Sequence, residues 1–326
     1  MRRREFITLF GGAAAAWPLA VRAQQPAMPM VGFLGSGSPQ SDAFRMAAIR
    51  QGLNESGYVE GRNVAFEYRW AEDHNERLPA MAADLVRREA AVIVLFGTTS
   101  VMAAKQATAT IPIVFAIGGD PITSGLVASL ARPGGNITGV SFLINTLVAK
   151  QVEVLHETVP KTALIGFLVN PTNPIADTDT KNLLVAAEML GQKLLVVQSR
   201  TDSELETAFV TLVQQRAGAL VVGADPFLTD RRDKIVELAA RQKVPAIYPL
   251  REFATAGGLM SYGTSATEAF RLVGLYAGRI LRGEKPADLP VQQSTKVELI
   301  INLKTAKTLG LNIPLPLLGR ADEVIE

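Results

Sequence analysis

The side chains best suited to bind a small molecule in this 326-residue chain follow its short apolar segments. Two such segments are followed by Asp-Pro, at Asp120-Pro121 and Asp225-Pro226, and another is followed by Gly97-Thr98-Thr99-Ser100. Hydroxyls and unpaired backbone N–H groups at the start of a helix suit a carboxylate, whereas an aspartate can pair with an ammonium group. The pattern predicts a site for a carboxylated or zwitterionic ligand. Its candidate residues are Ser36, Thr98, Thr99, Asp120, Asn170, Thr172, Asn173, Asp225, Tyr248 and Tyr262.

These candidates also have structural alternatives. Thr98 or Thr99 could cap its own helix, and Asp followed by Pro is equally the ordinary start of a helix. The polar residues of segment 170–173 lie in a proline-rich loop, where such residues usually form turns. Tyr248 and Tyr262 could stack on a flat ligand or pack in the interior.

The residues that catalysis or metal binding would need are scarce. The chain has no cysteine and only two histidines, His74 and His156, in polar or helical surroundings. It has no Walker loop, no Gly-x-Gly-x-x-Gly motif between a strand and a helix, and no serine nucleophile elbow. We therefore expect no catalytic residue, no metal site and no cofactor, and hence a protein that is not an enzyme.

The first 23 residues indicate where the protein works. Arg2-Arg3-Arg4 precedes a charge-free segment from Phe6 to Val21, and Val21-Arg22-Ala23 offers small residues to a signal peptidase. The segment has 16 residues, whereas a membrane-spanning helix needs about 20. We predict a twin-arginine-like signal over residues 1–23 that is cleaved near Ala23, and a periplasmic protein. An uncleaved membrane tether is the alternative.

The charge balance limits the partners of the mature chain. Residues 1–23 contain four arginines and one glutamate, so the 33 basic and 31 acidic residues of the chain become 29 and 30 without them. A nearly neutral protein has no field that attracts polyanions, which argues against nucleic acid and anionic membrane surfaces. No later segment is apolar for long enough to span a bilayer, so we expect no stable membrane insertion after cleavage.

The hydrophobic pattern contains two copies of one unit. Short apolar segments alternate with amphipathic helical windows, which is typical of parallel strands joined by crossover helices. Val31-Gly-Phe-Leu34 in the first copy corresponds to Ile165-Gly-Phe-Leu168 in the second. The predicted fold class is α/β, with two doubly wound, Rossmann-like lobes joined by a three-stranded hinge.

The predicted lobes are discontinuous in sequence. Lobe 1 comprises residues 28–141 and 251–288, and lobe 2 comprises residues 142–250 and 289–326. In open α/β sheets ligands bind at the carboxyl ends of strands, so two facing sheets place the site in the cleft between them. Closure of the lobes on a ligand follows from this arrangement.

Ordered motifs extend over the whole mature chain. They are Thr110-Ile-Pro-Ile-Val-Phe115, Gly119-Asp-Pro121, Gly125-Leu-Val127, Arg132-Pro-Gly-Gly-Asn-Ile-Thr-Gly139, Ala256-Gly-Gly-Leu-Met-Ser-Tyr-Gly263, Pro286-Ala-Asp-Leu-Pro290 and Asn302-Leu-Lys-Thr-Ala-Lys-Thr-Leu-Gly310. Together they resemble the ABC-transporter substrate-binding family of the tryptophan/tyrosine type. One departure is Ile117-Gly-Gly-Asp120, where a β-branched or hydroxylated residue more usually precedes the aspartate.

The resemblance implies a type I periplasmic-binding fold and a protein that delivers a small molecule to a membrane permease with its ATPase. In characterised relatives the ligand is an aromatic amino acid. The candidate loops of both lobes fall where such proteins contact their ligand. A periplasmic sensor of the same fold, which presents its closed form to a membrane receptor, is the alternative function.

Overall fold

A computed structural model of the protein describes residues 28–142, 147–294 and 296–326. The predicted signal sequence lies outside these residues. No helix within the described ranges is long and apolar enough to cross a membrane.

The first lobe is built on a six-stranded parallel sheet. Its strand order is β11-β5-β4-β3-β1-β2, with β1 (Met30–Gly35), β2 (Ala65–Trp70), β3 (Val92–Phe96), β4 (Ile113–Ile117), β5 (Ile137–Ser141) and β11 (Gln292–Gln293). The helices of this lobe are α1 (Ala43–Glu55), α2 (Leu78–Arg87), α3 (Thr98–Ala107) and α10 (Ala266–Leu281). Strands β3 and β4 are buried along their whole length, as expected for parallel strands covered on both faces.

The second lobe is built on a seven-stranded sheet with the order β13-β12-β10-β9-β8-β6-β7. The strands are β6 (Leu164–Val169), β7 (Lys193–Gln198), β8 (Ala219–Val222), β9 (Ala246–Tyr248), β10 (Met260–Thr264), β12 (Val297–Asn302) and β13 (Glu323–Ile325). The helices are α4 (Val148–Thr158), α5 (Ala176–Met189), α6 (Asp202–Gln214), α7 (Pro226–Asp230), α8 (Arg232–Arg241), α9 (Arg251–Thr255), α11 (Leu303–Thr308) and α12 (Leu315–Leu318). Only the β10–β12 pair is antiparallel among the described strand pairs.

Two crossings between the sheets lie at different positions from those predicted. Strand β10 pairs with β9 and β12, so residues 251–264 belong with the second sheet and not with the first. The chain returns to the first lobe at α10, which packs on α1, and β11 then pairs with β5 of the first sheet. The prediction differed because a local sequence pattern can indicate a strand but not the sheet that the strand joins, and the two-residue strand Gln292–Gln293 is polar and exposed.

Two glycines bring α1 and α10 into close contact. A Cβ at Gly52 would lie 1.9 Å from the backbone oxygen of Arg271, and one at Gly274 would lie 2.1 Å from that of Ile49. No larger residue fits without separation of the helices. This packing sets the position of the first turns of α1 and α10, which reach the cleft between the lobes.

Candidate functional site

A cavity of about 320 Å³ lies between the carboxyl ends of the two sheets. The loops after β1 and β3 line it from the first lobe, and the loops after β6 and β8 line it from the second. The strands of both sheets point their carboxyl ends toward this space, which is where open α/β sheets bind ligands. Of the predicted ligand-binding residues, the structure brings together Ser36, Thr98, Thr99, Asn170, Thr172, Asn173 and Asp225.

The N-terminus of α3 forms one side of the cavity. Gly97 precedes the helix with a φ of 79°, and no side chain caps the helix start, so Thr98 and Thr99 do not act as caps. The first-turn N–H groups of a helix lack intrahelical acceptors. Within the described residues, the buried Ser100 Oγ and Asn75 Oδ1 also lack hydrogen-bond partners, and both residues line the cavity.

Asp225 forms the opposite side of the cavity, where it both caps α7 and offers a carboxylate oxygen to a ligand. Its Oδ1 accepts hydrogen bonds from the Leu228 N–H at 3.1 Å and from Asn170 Nδ2 at 3.2 Å, so it caps α7. Its Oδ2 accepts one from Asn173 Nδ2 at 2.9 Å. Burial raises the pKa of this carboxyl to about 6. Since a carboxylate oxygen can accept two hydrogen bonds, Oδ2 can still receive a donor from a ligand.

Arg45 is a cavity residue that sequence reasoning did not identify. It lies in the first turn of α1, is 3% exposed, and donates from Nη1 to Asp230 Oδ1 at 2.8 Å and to Asp42. Its guanidinium stands 4.3 Å from the ring centroid of Phe96. Burial raises the pKa of Asp42 to about 7. Because Asp230 belongs to the second lobe, the Arg45 ion pair joins the two lobes beside the cavity.

A second ion pair crosses the cleft at its rim. Arg231 Nη2 donates to Asp73 Oδ2 at 2.7 Å, and both side chains are partly exposed. The loops themselves also touch: a Cβ at Gly97 would lie 3.0 Å from Pro226 Cγ on the facing lobe. The two lobes are therefore in contact across the cleft.

Phenylalanine side chains from both lobes provide the apolar part of the lining. Phe270 packs edge-on against Phe96 and Phe142, with ring centroids 5.7 Å apart in each pair. Phe227 lines the cavity from the second lobe, and the Arg231 guanidinium lies over its ring, 3.9 Å from the ring centroid. Such a lining suits a ligand with a flat apolar group.

The structure places three predicted ligand-binding residues outside the cavity lining. Asp120 Oδ1 accepts a hydrogen bond from the Ile122 N–H at 2.9 Å and thus closes a turn after β4. Tyr248 is buried and stacks on Phe253, with centroids 4.8 Å apart. Tyr262 packs against the core of the second lobe. The stacking role expected for both tyrosines is corrected, because Tyr248 is buried in the interior and the half-buried Tyr262 lies against the core, so neither ring reaches the cavity.

Little in the sequence could have revealed the additional lining residues. Arg45 lies three residues after Asp42, the N-cap residue of α1, which is a weak signal of an ion pair. The second partner of Arg45, Asp230, is far away in sequence. Among the described residues, no three histidine, aspartate or glutamate side chains are arranged to hold a metal ion.

A family model and several known proteins match this chain over most of its length. The family model described as ABC transporter substrate binding protein matches residues 39–325. A tyrosine-binding protein of Clostridioides difficile is 27% identical over 273 residues, which are 84% of this chain and 78% of that protein. A solved structure from Vibrio cholerae is 28% identical with a TM-score of 0.83, and an ABC domain of Streptococcus pneumoniae in complex with L-Trp is 26% identical with a TM-score of 0.82. Each structural match covers 91% of this chain and 99% of the other.

Proposed function

This protein belongs to the ABC transporter substrate-binding family and has a type I periplasmic-binding fold, and we propose that it is the extracytoplasmic solute-binding protein of an ABC importer. We infer that its ligand is a zwitterion with an aromatic side chain. The observation that carries this proposal is one cavity that combines an uncapped helix N-terminus, a buried carboxyl group and phenylalanines from both lobes. Relatives that bind tyrosine or L-Trp support the same ligand class.

The ligand carboxylate binds at the N-terminus of α3. The first-turn N–H groups and the hydroxyls of Thr98, Thr99 and Ser100 are its hydrogen-bond donors. A negative charge at a helix N-terminus gains about 0.3–1 kcal/mol, and up to about 2 kcal/mol when partly buried. The unpartnered Ser100 Oγ supports this placement.

The ligand ammonium group binds on the side of Asp225. Asp225 Oδ2 has a free acceptor direction, because the described hydrogen bond to this oxygen comes from Asn173 alone. An ammonium group here counteracts the burial that raises the pKa of Asp225. The two polar ends of an amino acid are thus recognised by different lobes, so binding favours the closed arrangement.

Transport follows from opening and closing of the lobes. The closed form holds the ligand and is recognised by a membrane permease with its ATPase, where opening releases the cargo unchanged. We also propose the export route inferred above, with cleavage near Ala23 and a periplasmic mature protein. Mass spectrometry of the secreted protein, with a mature N-terminus at Gln24, is the corresponding test.

Ligand class is tested by calorimetry with L-tryptophan, L-tyrosine, tryptamine and indole-3-propionate. The two amino acids are expected to bind, whereas the amine and the acid lose one polar contact each and bind at least about tenfold more weakly. Asp225→Asn is expected to abolish the preference for the amino acid over the acid, and Asp120→Asn serves as the matched control. Equal affinity for all four compounds would contradict the proposed site. Loss of ligand uptake in cells that lack the protein would indicate a component of an importer, whereas unchanged uptake would indicate a sensor.

A further inference from the structure

Helix α5 exposes apolar side chains at the outer surface of the second lobe. Leu184, Val185 and Met189 are 44%, 57% and 83% exposed, although the opposite face of the helix packs in the core. The helix lies against β7, which pairs only with β6 among the described strands and exposes Val196. Clustered apolar side chains and free sheet edges are features that proteins usually cover by association.

Two opposite charges flank the apolar centre of this helix face. Lys181 precedes Leu184 and Glu188 follows Val185, so the four residues have the spacing i, i+3, i+4 and i+7 of one helix stripe. Both charged side chains are exposed. Within the described ranges, neither forms an ion pair.

We propose that the outward face of α5 is the interface of a symmetric dimer of this chain. A two-fold axis that passes between residues 184 and 185 makes the two helices antiparallel. Leu184 of one copy then packs on Val185 of the other. Lys181 and Glu188 lie equally far from the axis on opposite sides, so each lysine faces the glutamate of the second copy.

The arrangement of charges on this surface favours a second copy of the chain as its binding partner. A two-fold interface must be complementary to itself, and a helix face with a lysine at one end, a glutamate at the other and an apolar centre meets this condition when the helices are antiparallel. A parallel arrangement would place equal charges together, which disfavours it. This surface is separate from the ligand cavity, so the inference does not depend on the identity of the ligand.

The interface is tested by analytical ultracentrifugation of the mature protein over a wide concentration range. The wild type is expected to form a dimer, and K181E and E188K are each expected to raise its dissociation constant at least about tenfold, because each creates two like-charge contacts. An equimolar mixture of K181E and E188K is expected to form heterodimers, since each contact then joins opposite charges. The double variant K181E/E188K is expected to regain the wild-type dissociation constant.

Two controls separate this effect from loss of folding or of general charge. Lys161→Glu reverses an exposed lysine outside the stripe and is expected to leave the dimer unchanged, and each variant is expected to keep its wild-type melting temperature as a monomer. A wild type that is monomeric at every concentration would overturn the proposal and assign the apolar face to another partner, such as the permease. A dimer that is insensitive to K181E, or two single variants that do not associate when mixed, would overturn it as well.

Discussion

Substitution of Asp230 by asparagine tests whether the buried ion pair with Arg45 stabilises the closed lobes. The side chains of Arg45 and Asp230 are 3% and 5% exposed, and the Nη1–Oδ1 distance is 2.8 Å. The substitution preserves shape and a neutral acceptor but removes the charge. Hydrogen bonds to charged groups contribute about 1.5–3 kcal/mol and neutral ones about 0.5–1.5 kcal/mol, so the closed form should lose about 1–1.5 kcal/mol.

This loss corresponds to roughly five- to twelvefold weaker ligand binding, because the pair forms only when the lobes meet. Calorimetric titration with L-tryptophan and L-tyrosine measures the change. Asp73→Asn is the matched control, because it removes the second ion pair seen across the cleft among the described residues. The side chains of that pair, Asp73 and Arg231, are 33% and 20% exposed, and exposed pairs contribute about 0–1 kcal/mol.

The comparison of the two variants decides the question. Unchanged affinity in Asp230→Asn would refute the reasoning, and so would an equal loss in both variants, since burial would then have no influence. Asp42 remains as the counterion of Arg45 in the variant. Removal of the neighbouring Asp230 charge, which raises the pKa of Asp42, should bring that pKa below about 7.

Three further predictions concern single carboxyl groups. Asp179 is buried, its Oδ1 has no hydrogen-bond partner among the described residues, and burial raises its pKa from 3.8 to about 7. The folded protein therefore favours the protonated carboxyl group, and this contribution to the free energy of unfolding is present below pH 4 and is lost as the pH rises through 7. At about 1.4 kcal/mol per pKa unit, Asp179→Asn should stabilise the protein by up to about 4 kcal/mol at pH 8 and hardly at pH 4 in urea unfolding, and an equal gain at both pH values would contradict this. Amino acid affinity should fall by up to about tenfold per pH unit below pH 6, because Asp225 has a pKa of about 6 and pairs with an ammonium group only when ionised; pH-independent titrations between 4.5 and 7 would exclude that pairing. Asp120→Ala should lower the free energy of unfolding by about 1 kcal/mol through loss of its turn contact without changing ligand affinity, whereas lost binding with an unchanged melting temperature would place Asp120 in the site.

Local sequence patterns determined the architecture of each lobe. Continuous apolar segments such as Ile113–Ile117, which are short and rich in β-branched residues, indicate buried strands between helices. The polar residues after such strands lie at the carboxyl edge of a parallel sheet. For this reason the loops around Thr98 and Asn170, which are far apart in sequence, were both expected at one cleft, and both line the cavity. The same patterns indicated the duplication.

Only the tertiary structure decided which partner each element has. The short segment Met260–Thr264 could join either sheet, and its pairing with β12 places it in the second lobe. Likewise, no local rule links Arg45 with Asp230, because their contact depends on how two lobes meet. The hydrophobic period of the sequence indicates which side chains are buried, but not whether they face the core or the cleft. Tyr248 is buried in the core, whereas the phenylalanines of the cavity face the cleft, and the sequence pattern does not distinguish them.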